Sequence, residues 1–307
     1  THDQSSAASD VYKRQAERQG FDLFYGYYNQ WHAHTYYTHL FRNSKKVELN
    51  GRYTHHAIFD ETIKFIKNNK DKPFFLYCPW TPPHAAYQIP EDEPAWKMYK
   101  DKPWPHDARV AAAMDTMMDR HVGEITALLK KLGIYQNTLM FFTSDNGAAK
   151  RFDGIHNSSG VMQGKKRSLN EGGIRVPMVV RWPGKIKAGR VSSHPWYFPD
   201  VMPTFAEIGG VSTEVPEDID GISILPTLLD KGVQKQHEYM FWQYGVRAVR
   251  SGKWKGIGKG GHLYLYDLSK DIEEKNDLSS KHPEIAARMK KYITCLLYTS
   301  PSPRDVR

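Results

Sequence analysis

The sequence predicts an α/β fold with a mostly parallel central sheet flanked by helices, followed by a small C-terminal antiparallel sheet plus a helix. Three observations favour this architecture. Short apolar runs at 73–80, 138–144 and 177–184 are typical of strands buried on both faces of a parallel sheet. Helical periodicity precedes the first run and separates the first two runs. Near the end of the chain, short alternating stretches separated by glycine indicate antiparallel strands.

Two helices are predicted by apolar side chains that recur at helical spacing. Residues 55–69 carry isoleucines at such positions, and the Asp-Lys-Pro sequence at 71–73 ends this helix. A proline-rich loop at 81–105 precedes the second helix, which Gly133 is expected to end. Its apolar stripe consists of Val110, Met114, Met117, Val122, Ile125, Leu128, Leu129 and Leu132. Methionines at these positions are expected in the core rather than around a cofactor.

The chain changes character in its last quarter. Alternating or aromatic stretches predict a small sheet, and residues 283–294 predict the helix that closes it. We therefore divide the chain into a main unit at 16–230 and a small α+β subdomain at 231–294. The stretches at 1–15 and 295–307 show no periodicity and no match to their surroundings, so we expect them to be non-native tails.

Composition excludes several classes of protein. The chain has 307 residues, a formal net charge of +9 and 40% hydrophobic residues, which is typical of a soluble globular protein. It has no apolar run of the ~20 residues that a membrane helix needs, so no membrane span is predicted. Two cysteines give no disulfide framework and no cysteine zinc site. No nucleic-acid-binding motif accompanies the positive charge, which indicates a solvated surface or an acidic substrate instead.

Polar side chains follow the first two predicted strands. His84 comes after the run at 73–80, and the Asp145-Asn146 pair follows the run at 138–144. Ligands bind beyond the carboxyl ends of strands in open α/β sheets, so these groups are expected at the same edge. Carboxylate and amide oxygens suit Ca²⁺ or Mg²⁺, but two ligands cannot fill a calcium shell of about 6–8 oxygens. Taken alone, the tripeptide Asp-Asn-Gly is more typical of a plain turn.

A cationic segment lies ahead of the third predicted strand. Lys165, Lys166 and Arg167 sit in a glycine-flanked stretch, where the chain can aim one of these cations at an anion. A run of charges is more often a solvated surface. Glu171 and Arg175 can pair to hold this loop, which is a structural role.

Together these segments resemble the type I, formylglycine-dependent sulfatases in their sequence motifs and in the order of those motifs. The resemblance rests on PFFLYCPWTPPHA, TLMFFTSDNG, GKKRSLNEGGIRVPMVVRWPG, and LYDLSKDIEEKNDL followed by HPEIAARMKKYI. It extends from about Gly20 to Ile293. It implies an arylsulfatase-like member of the alkaline phosphatase superfamily that hydrolyses sulfate esters. The main unit at 16–230 would then be the C-terminal part of its catalytic domain.

The resemblance also implies roles for individual residues. Asp145 and Asn146 match two ligands of a single Ca²⁺, which in the family holds sulfate oxygens and the hydroxyl of the nucleophile. Asp145 is also expected to assist proton removal from that nucleophile. Lys166, five residues before Glu171, matches the lysine that binds sulfate, and His84 matches the histidine that contacts the sulfate and the leaving oxygen. A metal, a cation and a proton donor all suit sulfuryl transfer, which moves negative charge onto the ester oxygen.

Three elements of the family are missing from the sequence. These are an early Asp pair, the Cys-x-Pro/Ala-x-Arg motif that yields formylglycine, and a Gly-Lys-x-His-Leu-Gly segment. Neither Cys78 nor Cys295 fits the formylglycine motif. We therefore expect truncation upstream of Phe21, with the nucleophile on a missing N-terminal segment and this fragment inactive alone. His32 and His34 belong to an HAH element that is expected to shape the rim of the pocket.

Two other functions stay open. A phosphatase or phosphodiesterase of the same superfamily would use two metals and often reads Asp-His-Gly, whereas Asn146 fits one hard cation better. A non-catalytic binder of sulfated glycans could use the basic stretch at 247–259, which includes Trp254 but is more simply a solvated hairpin. The expected partner is a sulfated small molecule or a sulfated glycan. The expected location, inferred from the resemblance alone, is periplasmic or secreted.

Overall fold

The computed structural model describes residues 16–29 and 31–299, with side chains up to residue 294. Its contacts divide the chain into two compact units, Thr1–Thr138 and Leu139–Arg307. The predicted tail at 1–15 and the last eight residues of the predicted tail at 295–307 lie outside the described residues. Among the described residues, no helix has the length and apolar character that crossing a membrane requires.

In its described residues, the first unit combines a small sheet with three α-helices. Its antiparallel strands are β1 (Tyr25–Gly26), β2 (Leu40–Arg42) and β3 (Lys45–Val47), in the order β1-β2-β3. Its helices are α1 (Thr54–Asn69), α2 (Pro94–Tyr99) and α3 (His106–Lys131). The two long helices predicted from periodicity are confirmed, and α3 ends where Gly133 adopts a positive φ of 75°.

The core of the first unit is aromatic and methionine-rich. Met114 and Met117 of α3 are fully buried, which confirms their predicted place in the core. They cluster with Tyr36 from the segment before β2, with Tyr53 directly before α1 and with Trp96 of α2. This packing fixes the loops around Tyr36 because its ring has no exposed surface.

The predicted strand at 73–80 is not a strand in the structure. Its side chains alternate between half-buried and exposed positions, and Phe75 and Tyr77 remain 56% and 63% exposed. The other face packs on α1, where Phe74 meets Phe65 at 5.7 Å between ring centroids. The prediction of burial on both faces was therefore wrong, because no described strand pairs with this segment.

The second unit holds the remaining strands and helices. Its strands are β4 (Met140–Thr143), β5 (Met178–Arg181), β6 (Met240–Tyr244), β7 (Val246–Ser251), β8 (Trp254–Lys259) and β9 (His262–Asp267). Its helices are α4 (Glu171–Ile174), α5 (Val201–Gly209), α6 (Leu225–Leu229) and α7 (Pro283–Thr299).

Strands β4 and β5 confirm two of the predicted strands but run antiparallel. Their register pairs Met140 with Arg181 and Thr143 with Met178. The predicted parallel arrangement is not found for this pair, because the 34 residues between the strands return the chain so that β5 runs opposite to β4. Phe142 and Val179 are 43% and 62% exposed, so the pair is not buried on both faces.

The predicted C-terminal antiparallel sheet and its helix are confirmed. The sheet has the order β6-β7-β8-β9, and α7 covers one face. Met289 of α7 is fully buried against Val249 and Leu265. Helix α7 continues to Thr299, beyond the predicted end at residue 294. The predicted subdomain boundary near residue 231 stays a prediction.

Candidate functional site

The Ser-Asp-Asn-Gly loop directly follows β4 in the second unit. Asp145 is exposed and Asn146 is half-buried. The Ser144 hydroxyl donates to the Asn146 carbonyl at 3.0 Å, and the Asn146 side-chain amide donates to the Gly147 carbonyl at 3.4 Å. These local bonds order the loop while leaving the Asp145 carboxylate without a hydrogen bond or ion pair to any described residue.

The cationic loop is attached to this first loop through the backbone. The Lys166 N–H donates to the Ala148 carbonyl at 2.8 Å, and the Gly147 N–H donates to the Gly173 carbonyl at 2.9 Å. The structure therefore brings together two of the sequence segments that were predicted to carry the chemistry, those of Asp145 and Lys166.

Glycines permit this close approach. A Cβ on Gly147 would lie 2.0 Å from the Gly172 carbonyl oxygen, and one on Gly173 would lie 2.1 Å from the Ser168 carbonyl oxygen. A Cβ on Gly172 would meet the Gly164 carbonyl oxygen at 2.3 Å. Because backbone lies at every one of these contacts, larger residues would push the loops apart.

The adjacent residues Lys165 and Lys166 differ in whether their ammonium groups form ion pairs. The Lys165 ammonium forms an ion pair with Asp153 at 3.1 Å. The Lys166 ammonium is half-buried and makes no ion pair or hydrogen bond within the described part of the chain. An anion bound at this loop would therefore find Lys166 available as the cation.

The donor set fits a hard cation but is incomplete. Asp145 and Asn146 present a carboxylate and an amide, and their oxygens suit Ca²⁺ better than zinc. No group of three or more His, Cys, Asp or Glu side chains that could hold a metal occurs among the described residues. Two protein ligands leave most of a shell of about 6–8 oxygens to be supplied by other groups.

A buried ionic network centred on Lys255 stabilises the cationic loop. Lys255 of β8 is fully buried, and its ammonium lies 2.8 Å from Glu171 and 2.9 Å from Glu274. Arg175 donates to the other Glu171 oxygen at 2.7 Å, as the sequence predicted for this pair. Burial alone would raise the pKa of the Glu171 carboxyl, but Lys255 and Arg175 hold it below its ordinary value.

This network corrects the interpretation of the basic stretch at 247–259. Lys255 has no exposed surface, and Lys253 pairs with Asp267 at 2.8 Å. The stretch is therefore not a uniform cationic surface. Sequence reasoning missed the network, although a lysine within a predicted strand was a signal that a buried acid could lie nearby.

His84 lies in the first unit, half-buried in the loop after residue 80. Its Nδ1 lies 2.9 Å from the Ala85 carbonyl oxygen, which can only accept, so Nδ1 carries the proton and Nε2 stays available. The ring stacks on His34 with centroids 4.8 Å apart and planes 11° from parallel. The Tyr36 hydroxyl donates to the His84 carbonyl at 3.0 Å.

Two family models match the chain. The model described as Sulfatase matches residues 5–211, and the model described as N-sulphoglucosamine sulphohydrolase, C-terminal, matches residues 163–297. Both matches include the cationic loop, where Lys166 and the buried Glu171 lie.

Curated relatives and solved structures agree with these models. Steryl-sulfatase of Mus musculus is 34% identical over 213 residues, covering 64% of this chain and 32% of that protein. N-acetylgalactosamine-6-O-sulfatase of Bacteroides thetaiotaomicron is 30% identical over 267 residues, covering 77% and 49%. The crystal structure of Ps i-CgsB superposes with a TM-score of 0.84 at 27% identity, covering 95% of this chain and 69% of that one. A second crystal structure of that protein contains k-i-k-neocarrahexaose. The chain spans about a third to a half of the length of the two curated relatives.

Proposed function

The chain belongs to the sulfatase family of the alkaline phosphatase superfamily, and we propose from this premise that it supplies metal-binding and sulfate-binding loops of a sulfate-ester hydrolase. One observation carries the proposal. The Asp145 and Lys166 loops are joined through the backbone, yet the carboxylate and the ammonium both lack partners among the described residues. Unpaired opposite charges on adjoining loops suit a metal ion and an anion bound side by side.

Each side chain has a proposed role. Asp145 and Asn146 would hold one Ca²⁺, which would supply positive charge to the sulfate oxygens when bound. The Lys166 ammonium binds the sulfate group and offsets charge that builds up during transfer. His84, proposed from its place in the motif, passes a proton to the leaving oxygen from Nε2 after that nitrogen has taken one up, since Nδ1 keeps its own proton on the Ala85 carbonyl.

The nucleophile is proposed to come from a segment that this sequence does not include. Cys78 is the cysteine whose side chain the structure describes; burial raises the pKa of its thiol, and the Thr62 hydroxyl lies 3.7 Å from its sulfur. A buried thiol of this kind is a packing residue. We therefore expect the formylglycine to be provided elsewhere in the protein.

The proposed substrate is a sulfated small molecule or a sulfated glycan. The relatives include a steryl-sulfatase and an N-acetylgalactosamine-6-O-sulfatase, so both classes are represented among them. The family is also the basis for proposing a periplasmic or secreted location, which cell fractionation with an antibody to the chain tests.

Hydrolysis of matched sulfate and phosphate monoesters tests the proposal. The protein encoded by the complete reading frame should hydrolyse 4-nitrophenyl sulfate in Ca²⁺, and the rate should fall in a chelator and recover on adding Ca²⁺ back. A higher kcat/KM for 4-nitrophenyl phosphate, with dependence on zinc, would support a phosphatase of the same superfamily and overturn the proposal.

A further inference from the structure

The segment that contains His34 and Tyr36 is hydrogen-bonded to the loop that carries His84. The Ala86 N–H donates to the His34 carbonyl at 3.1 Å, and the Tyr36 hydroxyl donates to the His84 carbonyl at 3.0 Å. The Tyr36 N–H donates to the Gln88 side chain at 3.1 Å. These three bonds span about fifty positions of sequence, and the fully buried Tyr36 ring anchors them in the core. The main chain around His84 is therefore held by His34 and Tyr36.

The side chain of His84 is held by the same segment. The His34 and His84 rings are stacked, with centroids 4.8 Å apart and planes 11° from parallel. Trp31 also meets the His34 ring edge-on, with ring centroids 5.8 Å apart. A ring stacked at this distance limits the rotation of its neighbour, so His34 restricts the plane in which His84 can turn.

The surroundings of the His34 ring support a packing role. Its Nε2 is buried and has no hydrogen-bond partner among the described residues. The His34 ring therefore offers His84 a flat surface on which to pack.

We propose that His34 is a positioning residue for His84: its stacked ring and its carbonyl fix the imidazole so that Nδ1–H stays on the Ala85 carbonyl and Nε2 faces outward for the substrate. The proposal rests on the proposed role of His84 as proton donor. It differs from a rim role for the HAH element, because His34 acts through another residue and needs no contact with the substrate.

The tautomer of His84 is the direct readout, and it needs no catalytic turnover. The 307-residue chain is labelled with ¹⁵N-histidine, and the His84 signals are identified by their loss in His84→Gln. The wild type should show the Nδ1–H tautomer at neutral pH. His34→Phe keeps a flat ring and should preserve this tautomer, whereas His34→Ala should give a mixture of both tautomers. Exposed His106→Ala is the matched control and should change nothing at His84.

Two outcomes overturn the proposal. One is a wild-type His84 that is predominantly the Nε2–H tautomer, and the other is a His34→Ala chain that retains the wild-type tautomer with native circular dichroism. If His34→Ala fails to fold, His34→Gln and His34→Phe decide, because only the flat ring should preserve the tautomer.

Kinetics on the complete protein separate this proposal from the proposed function. With 4-nitrophenyl sulfate, His34→Ala should lower kcat about 100-fold with KM little changed, and His34→Phe should recover most of the loss. Equal losses in both variants would contradict positioning by a flat ring. Absence of any sulfate-ester hydrolysis by the wild type would refute the proposed function, while the tautomer result would still decide the role of His34.

Discussion

Asp145 is the residue on which the proposed metal site depends most. It is exposed, and its carboxylate makes no ion pair or hydrogen bond among the described residues, so we propose Ca²⁺ as its partner. Saturating Ca²⁺ should raise the melting temperature of the protein, since a ligand at 100 times its Kd contributes about 2.7 kcal/mol to the free energy of unfolding. Asp145→Ala should abolish this shift, measured by thermal unfolding with and without Ca²⁺.

Asp153→Ala is the control for this measurement. Asp153 is an exposed carboxylate in the same part of the chain but pairs with Lys165. It should leave the Ca²⁺-dependent shift unchanged. An undiminished shift in Asp145→Ala would exclude Asp145 as a ligand.

Lys255 is a charged residue whose importance is structural. It is buried between two carboxylates, and Lys255→Met would leave Glu171 and Glu274 without their shared cation. Breaking a buried pair by removing one partner typically costs about 3–5 kcal/mol of unfolding free energy. We expect a loss of that size in urea denaturation, against little change for exposed Lys259→Met. A loss in Lys255→Met no larger than in Lys259→Met would mean that the network contributes little.

For single residues, the sequence could predict candidate site residues but not the groups with which they form ion pairs. Spacing from Glu171 favoured Lys166 over Lys165, and the structure adds that Lys165 alone of the two is paired, with Asp153. The partner of Lys255 could not be predicted, because Glu274 lies 19 residues away in sequence and reaches it only through the fold.

The contact between the Asp145 loop and the cationic loop is the element-scale feature that the site requires. Gly147→Ala would place a methyl group 2.0 Å from the Gly172 carbonyl oxygen, so the loops must separate. We expect weaker sulfate binding by isothermal titration calorimetry and a loss of about 1–3 kcal/mol of stability.

Gly123→Ala is the matched substitution within a helix. Gly123 lies in α3 with open space around its Cβ position, so alanine should stabilise the protein by about 0.5–1 kcal/mol. Sulfate affinity in Gly147→Ala equal to that of Gly123→Ala would show that the loops need not touch for binding.

The packing of α1 against α3 is expected to be pH-sensitive. His55 and His121 are buried with their ring nitrogens 3.0 Å apart. Desolvation, with nearby cations, lowers the pKa of His121 to about 4, and burial lowers that of His55 as well. The unfolded chain therefore binds more protons below pH about 6.5, so stability is full above that pH and is lost as the pH falls towards 4.

His121→Gln tests this dependence by urea unfolding at pH 7.5 and pH 5. The wild type should lose about 1 kcal/mol or more between these conditions. His121→Gln should lose less, whereas exposed His106→Gln should lose as much as the wild type. Equal losses in all three proteins would mean that the buried pair does not set the pH dependence.

Elements defined by local periodicity could be predicted, and pairings between distant strands could not. The stripes of α1 and α3 and the alternation in β6 to β9 lie within single stretches of sequence, and all of them are found. The direction of β5 beside β4 depends on the path of the intervening 34 residues, which carry no such signal. The run at 73–80 has strand composition, but a strand also needs a neighbour.

At the scale of the whole molecule, this chain spans only about a third to a half of the two curated relatives. Family membership therefore says more about the reaction class than about what these 307 residues do alone. We propose that Lys166 binds sulfate and that another segment provides the nucleophile.

The measurement that tests this account most directly compares Lys166→Ala with Lys165→Ala in the protein encoded by the complete reading frame. The account predicts that Lys166→Ala lowers kcat/KM for sulfate-ester hydrolysis about 100-fold or more, since it removes a cation from the charge that develops in the transition state. Lys165→Ala, which loses only an ion pair to Asp153, should stay within about threefold of the wild type. Wild-type kcat/KM in Lys166→Ala would contradict the assignment of this loop as the sulfate-binding site.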